Sequence, residues 1–336
     1  MLTMTTLRRL YTTDAPLTLT GALMAAALIP ALAGLWLDPR LITGAPAWLK
    51  PAKFAVSTAI YALTLAWIFT YLPAWVRTRR VVGRGSAAIL IFEVGAIYLQ
   101  AWRGTTSHFN VATPVDAALF MTMGLAIVIQ TVGAVVVAVA LWRQPFADAA
   151  RGWALRLGLT VTIVGASTGG LMTTPRDSQI AEARATHHML VSGSHTVGAP
   201  DGGPGLPGTG WSRRHGDIRV AHFVGLHAIQ VLPVVAWLLT RRRLSDVRAL
   251  RLTIVAAGSY FALFALLLAQ ALSGESVAAP SPVFVTAFAL WAFTTGIGVA
   301  VAARRQAATS PQMVLSPDAR SVDVWAENDA SRLAAR

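Results

Sequence analysis

Eight apolar runs, at 17–37, 52–75, 86–102, 115–142, 153–172, 219–239, 250–272 and 281–303, occupy most of this chain. A helix needs roughly 20 such residues to cross a bilayer core. Backbone placed in hydrocarbon must satisfy its own hydrogen bonds, which leaves helices and closed barrels. None of the runs shows the period-two alternation of a barrel strand. The expected fold is therefore an all-α integral membrane protein with eight transmembrane helices. Composition agrees, with 13% charged residues against about 25% in soluble domains. The chain has no cysteine, so disulfides, thiolate metal sites and cysteine nucleophiles are all excluded.

A net charge of +13 suits a nucleic-acid binder only if the basic residues share one surface. Here they alternate with the spans. One side collects Arg8, Arg9, Arg77, Arg79, Arg80, Arg84, Arg143 and Arg151, then Arg241, Arg242, Arg243, Arg248, Arg251, Arg304 and Arg305. The short connections on the other side hold Arg40, Lys50, Lys53 and Arg103. The positive-inside rule then places both termini in the cytoplasm of a cell membrane, with the lipid bilayer as partner and no nucleic acid. Arg8 and Arg9 before run 17–37 resemble a signal peptide superficially, but the run is long enough to span and takes part in the repeat below. The polar tail, 304–336, is expected to be a disordered cytoplasmic end.

The runs divide into two similar sets. Lys53-Phe54 with Thr58-Ala59-Ile60 aligns with His222-Phe223 and His227-Ala228-Ile229 at an offset of 169. Gln100-Ala101 with Gly104 aligns with Gln270-Ala271 and Gly274 at an offset of 170. Gly34-Leu35 with Pro39 matches Gly170-Leu171 with Pro175 at an offset of 136. Their shared order predicts an internal duplication of four plus four spans, in halves 1–152 and 153–303, related by an axis along the membrane normal.

Residues 173–218 form the one long connection. Its many Gly and Pro residues argue against a helix and for turns. Loops of this length are functional or disordered, and Met189, Leu190, Val191, Leu206 and Trp211 are apolar anchors that a disordered segment lacks. An ordered lid over the outer helix ends is expected. The Gly-rich stretch from Asp201 to Trp211 is not a phosphate loop, because no strand precedes it and no Gly-Lys-Ser/Thr follows.

All seven histidines, His108, His187, His188, His195, His215, His222 and His227, fall in outer loops or the outer half of a span. On an unbroken sixth helix His222 and His227 stand about 140° apart with Gln230 between them, at depths of roughly 12 Å for His227 and 16 Å for Gln230. Ionisable groups so deep face the bundle interior and mark function. Neutral imidazole ligates zinc, copper and haem iron, so His222, His227, His108 and His195 are the candidate metal ligands, and haem or a transition metal the candidate cofactor. The competing readings are a proton relay or substrate contact, and histidines that only tie helices and lid together.

A second set of polar groups lies within or beside the spans: Glu93, Gln100, Asp116, Gln130, Gln230, Gln270 and Lys53, candidates for a substrate or proton pathway. Glu93, read as about 10 Å above the cytoplasmic end of its helix, has Leu263 as its counterpart in the second half. His108, Asn110 and Asp116 are expected to converge with Lys53 and the lid. Lys50 and Lys53, the only lysines, are expected to snorkel to lipid phosphates, with capture of an anion as the sharper alternative.

The four-plus-four arrangement resembles that of haem A synthase-like proteins, in which two four-helix halves each hold haem-ligand histidines. The resemblance is architectural only. Here Lys53 and Thr58 stand where the second half has His222 and His227, and spans four and eight hold no histidine. A haem clamped between two spanning helices cannot be built from these residues, and at most one ligand comes from a helix. Three functional classes follow: an outward-facing histidine site, metal- or haem-binding and redox-active; a carrier or proton-coupled permease using Glu93, Gln130 and His227; or a non-catalytic subunit that assembles with membrane partners or with itself.

Overall fold

The apolar runs fold as helices, and the charged residues at their ends extend those helices rather than stop them. This is seen in a computed structural model, which describes residues 4–242 and 244–304. Arg243, Arg305 and the tail beyond lie outside the described residues. A short amphipathic helix α1 (Met4–Thr13) leads into α2 (Ala15–Leu37). Asp14 caps α2 by accepting the Leu17 N–H at 2.9 Å, the usual service of an N-cap carboxylate. A two-residue hairpin, β1 (Leu41–Ile42) and β2 (Ala45–Pro46), precedes α3 (Leu49–Phe69), α4 (Val76–Arg103) and α5 (Pro114–Arg143). Then come α6 (Ala149–Ser167) and its continuation α7 (Gly169–Thr173), the lid helix α8 (Asp177–Thr186), and the lid strands β3 (Thr196–Val197) and β4 (Gly216–Asp217). The chain closes with α9 (Ile218–Leu226), α10 (Ala228–Arg241), α11 (Asp246–Leu272) and α12 (Pro282–Ala303).

Seven helices are long and apolar enough to cross a membrane, and an eighth crossing results if α9 and α10, bent by 47°, form one span. An all-α membrane protein is what these helices support. α2 packs along α3 and α4, and α4 carries α5; α6 packs along α9, α10 and α11, and α11 carries α12. One apolar cluster joins Leu17, Phe69 and Val137 to Leu155, Leu159 and Ile229, so residues of both sequence halves share a core.

Three local features depart from the sequence reading. α4 starts at Val76, ten residues early, because Arg77, Arg79, Arg80 and Arg84 ride on the helix itself. That places Glu93 about 15 Å from the Arg103 end, well away from either helix terminus. The lid does contain a helix, α8, in the longest part of the loop without Gly or Pro. The sixth run is not a continuous helix: it breaks at His227 (φ −86, ψ 0), so angles on a single helical wheel do not carry across it. Thr162 of α6 fills the break, its hydroxyl donating to Leu226 O at 3.2 Å and accepting the Ile229 N–H at 3.1 Å. On the other side Tyr260 donates to Val224 O at 2.6 Å. Backbone groups freed by a kink inside a bundle need such partners.

A cation sits inside the fifth apolar run. Arg156 donates to Leu141 O (3.0 Å) and Gln144 O (2.7 Å) at the end of α5, with its guanidinium 5.2 Å from the centre of the Phe146 ring. It satisfies the orphan carbonyls of a helix C-terminus and suits the dipole there.

Candidate functional site

The lid is stitched to the helix ends by backbone. Ser192 N–H donates to Phe109 O at 2.8 Å and Val111 N–H to Leu190 O at 3.0 Å, so lid residues pair with the α4–α5 connection. β3 pairs with β4, and the Gly216 N–H donates to Gly274 O, at the end of α11, at 2.7 Å. Lys53 of α3 donates to Thr209 O of the Gly-rich stretch at 2.7 Å. The expectation that Lys53 snorkels to lipid is thus corrected: its ammonium turns to the lid, where a carbonyl is available. Lys50 also turns inward, its ammonium 5.8 Å from the centre of the Phe54 ring.

Three of the four candidate ligands gather beneath the lid. His108 lies within electrostatic range of Lys50, His195 and His222, and His195 within range of Lys50 and His222. Aromatic rings separate them: Phe109 stands 4.8 Å from His195 and 6.2 Å from His108, and Phe54 stands 6.1 Å from His108, centre to centre. Phe109 has φ +66, a conformation rare for a bulky residue. Such strain persists where the surroundings over-determine it, and it clusters at functional sites.

Each imidazole is held by Nδ1. His195 Nδ1 meets Asp201 Oδ2 at 2.7 Å; His222 Nδ1 meets Gly165 O at 3.0 Å and the Thr168 hydroxyl at 3.1 Å; His108 Nδ1 meets the Ser107 hydroxyl at 3.0 Å. A carboxylate and a carbonyl only accept, so Nδ1 carries the proton in His195 and His222, and Nε2 of the neutral ring is a bare lone pair. Among the described residues Nε2 of these three rings meets no hydrogen-bond partner. Burial, with Lys50 and the neighbouring histidines adding to it, holds His108 well below the usual imidazole range. Burial also lowers His195, with Asp201 opposing. Burial works against ionisation of Asp201, and the His195 ring together with the His195 and Thr196 N–H groups outweighs it, holding that carboxyl low. Both directions favour an ionised Asp201 beside a neutral His195.

The other candidates are placed elsewhere. His227 is at the helix break, its ring tilted against that of Phe223 at 4.3 Å between centres. His187 and His188 are exposed on the lid. Asp116 is engaged by Gln100 (2.8 Å), Arg103 (2.7 Å) and Thr113 (2.7 Å), and Asn110 bonds Thr105 (2.9 Å), so Asp116 and Asn110 lock the α4–α5 turn instead of meeting Lys53. Gln270 donates to Ser276 O at 3.2 Å. Glu93, Gln130 and Gln230 form a different group: each has a buried Oε1 without a hydrogen-bond partner among the described residues. Gln130 donates to Tyr61 Oη at 2.9 Å and Gln230 to Thr64 Oγ1 at 3.5 Å.

Sequence reasoning missed Asp201, Lys50 as an inward group, and Phe109. A signal existed for Asp201, an acid six residues after His195 in an otherwise Gly-rich turn. Among the described residues no three His, Asp or Glu side chains converge closely enough to hold a metal ion. The chain matches no protein-family model, no curated protein and no solved structure, so the functional reading rests on this geometry.

Proposed function

We propose that the protein works through this lid-end site, and that Nε2 of His195 and of His222 are its ligand atoms, toward the iron of a haem. The observation that carries this is the fixation of both rings through Nδ1–H with Nε2 uncovered, the arrangement that orients metal-ligating imidazoles. A haem needs one or two imidazoles, and its propionates give it a net negative charge that suits Lys50 and Lys53. A bare divalent ion fits less well, because it needs a compact set of several ligands and would meet those ammonium groups. One ligand from a helix and one from the lid is the pairing the chain allows.

The test is an absorbance spectrum of the protein purified in detergent, before and after haemin titration. A Soret band that shifts or disappears in His222→Ala and in His195→Ala is expected. A colourless wild-type protein that takes up no haemin, or variants with the wild-type spectrum, would overturn the assignment. A second reading, a proton path, is favoured by the unpartnered Oε1 atoms of Glu93, Gln130 and Gln230, since buried polar atoms without protein partners are places for water.

The same proposal includes the finer topology: eight spans in two related halves, lid outside, both termini cytoplasmic. Support comes from matched helix ends. α4 and α11 each end with a left-handed glycine, Gly104 (φ +75) and Gly274 (φ +83), and Gln100 and Gln270 each donate to the carbonyl six residues on, at 3.3 and 3.2 Å. The helices of each half also pack in the same order. With no native cysteine, single cysteines report orientation directly. Glu182→Cys in the lid should react with an impermeant maleimide in intact cells, and Arg77→Cys only after permeabilisation; the reverse pattern would invert the topology.

A further inference from the structure

At the end of the bundle opposite the lid, three arginines surround a cavity of about 230 Å³ lined by Arg79, Arg80, Arg84, Thr13, Asp14 and Pro16, among others. None of the three guanidinium groups donates a hydrogen bond or forms an ion pair with a described residue, and Arg79 Nε is buried without a partner. Among the described residues Asp14 is the one acid lining the cavity. One of its oxygens accepts the Leu17 N–H and the other packs against Gly83 of α4, with Arg79 and Arg84 in electrostatic range. Three positive groups face one negative group, and a bare guanidinium fork is shaped for phosphate or carboxylate.

Pro16 also lines a second hollow, an apolar groove of about 440 Å³ running along α2 and α4 past Leu19, Leu23, Ala87 and Ile91. Leu19, Leu23 and Ile91 are exposed. A cationic pocket and an apolar trough therefore adjoin at Pro16, in the order in which a phosphate is followed by an acyl chain. Beside it, α1 is amphipathic, with Leu10 buried and Arg8 and Arg9 exposed, the character of a helix lying in the headgroup plane.

We infer that this is a binding site for one anionic glycerophospholipid, its phosphate held by Arg79, Arg80 and Arg84 and one acyl chain laid in the groove between α2 and α4. Basic pockets between spanning helices recognise anionic headgroups in this way. The apolar groove is what separates a lipid from a free phosphate ion, since inorganic phosphate has nothing to place there. The site is independent of the proposed haem site at the lid end.

The experiment compares thermal stabilisation and native mass spectra of the full chain in detergent with added phosphatidylglycerol, phosphatidylcholine of the same acyl chains, or inorganic phosphate. Phosphatidylglycerol should bind more tightly than phosphatidylcholine by on the order of tenfold, and inorganic phosphate should give no stabilisation. Arg80→Gln with Arg84→Gln removes two exposed groups that make no hydrogen bond to a described residue, Arg84 adding only a screened attraction to Asp14, and should erase the preference while shifting the lipid-free melting temperature little. Leu23→Trp, which fills the groove, should weaken both lipids alike. Equal binding of the two lipids by wild type, an undiminished preference in the double variant, or stabilisation by inorganic phosphate alone would overturn the lipid site.

Discussion

Gly165→Val is expected to leave little or no folded protein. A Cβ at 165 would stand 2.5 Å from Gly225 Cα, 2.6 Å from its carbonyl carbon and 2.9 Å from Leu226 N. These are backbone atoms of α9, which no rotamer change can move aside. From the other side, a Cβ at 225 would meet Gly165 Cα at 2.5 Å and the Phe264 ring at 3.0 Å. The two helices cross with nothing but glycine between them, as small residues permit in membranes. Separating them also breaks the Thr162 bridge to Leu226 O and Ile229 N. Overpacking costs about 1–3 kcal/mol and each stranded buried polar group about 1–3 kcal/mol more, against a total stability of about 5–15 kcal/mol. Gly165 O also fixes His222, so any protein that survives should lose that orientation. The control is Gly258→Ala in α11, where nothing lies within 4 Å. There the substitution should be neutral or stabilise by up to about 1 kcal/mol, from helix propensity alone. Unfolding midpoints in detergent separate the two cases. A Gly165→Val protein melting with the wild type would mean that α6 and α9 do not cross as described.

The contrast between those glycines explains what the sequence could and could not disclose. Apolar runs announce helices because period, length and hydropathy are local, and the runs located most ends of the long helices to within a few residues, with α3 ending at Phe69 rather than 75 and α4 starting at Val76 rather than 86. Arginines on α4 misled there, since charge marks the membrane boundary and not the end of a helix. The break at His227 had only indirect local signals, Gly225 just before it and Pro233 in the following turns, and neither fixes its place. It depends on Thr162, 65 residues earlier, offering one hydroxyl to two freed backbone groups. The site shows the same division. Histidines at the lid end were legible from topology, but which ring meets which partner was not. His222 and His227 looked like a pair on one face, and the kink sends His222 to Gly165 and His227 to Phe223. Asp116 and Gln100 looked like pathway residues and proved to be engaged with Arg103 and Thr113. Side-chain pairing across loops is a tertiary property, and charge or polarity alone does not encode it.

Asp201→Asn should weaken haemin binding about 10–100-fold while the lid keeps its shape. The carboxylate accepts from His195 Nδ1 (2.7 Å), from the Ser194 hydroxyl (2.9 Å), and from the backbone N–H groups of His195 (3.1 Å) and Thr196 (2.9 Å). An asparagine can keep its amide oxygen on the backbone and the Ser194 hydroxyl. Its amide nitrogen then faces the His195 ring as a donor, which favours the tautomer with the proton on Nε2 and removes the lone pair that the iron requires. Asp201 is in this sense a positioning residue, and the pH dependence distinguishes it from a merely structural one. The folded pKa of His195 lies below the ordinary value of about 6.5. A neutral ring therefore persists below the ordinary imidazole value, and haemin binding should fail only at a pH lower than that value, as the proton reaches Nε2. Stability follows the same sign. An unfolded imidazole takes up its proton first, so this histidine lowers stability as pH falls from about 6.5 toward its folded value. Asp201 has a depressed folded pKa, so its contribution is complete above about pH 4 and is lost only as pH falls further. In Asp201→Asn the carboxylate no longer supports protonation of the ring, so the acid limb should move to still lower pH even as affinity at neutral pH drops. Equilibrium titrations of both proteins from pH 5 to 8 measure the two effects together, and a variant that matches wild type in affinity and in acid limb would remove Asp201 from the site.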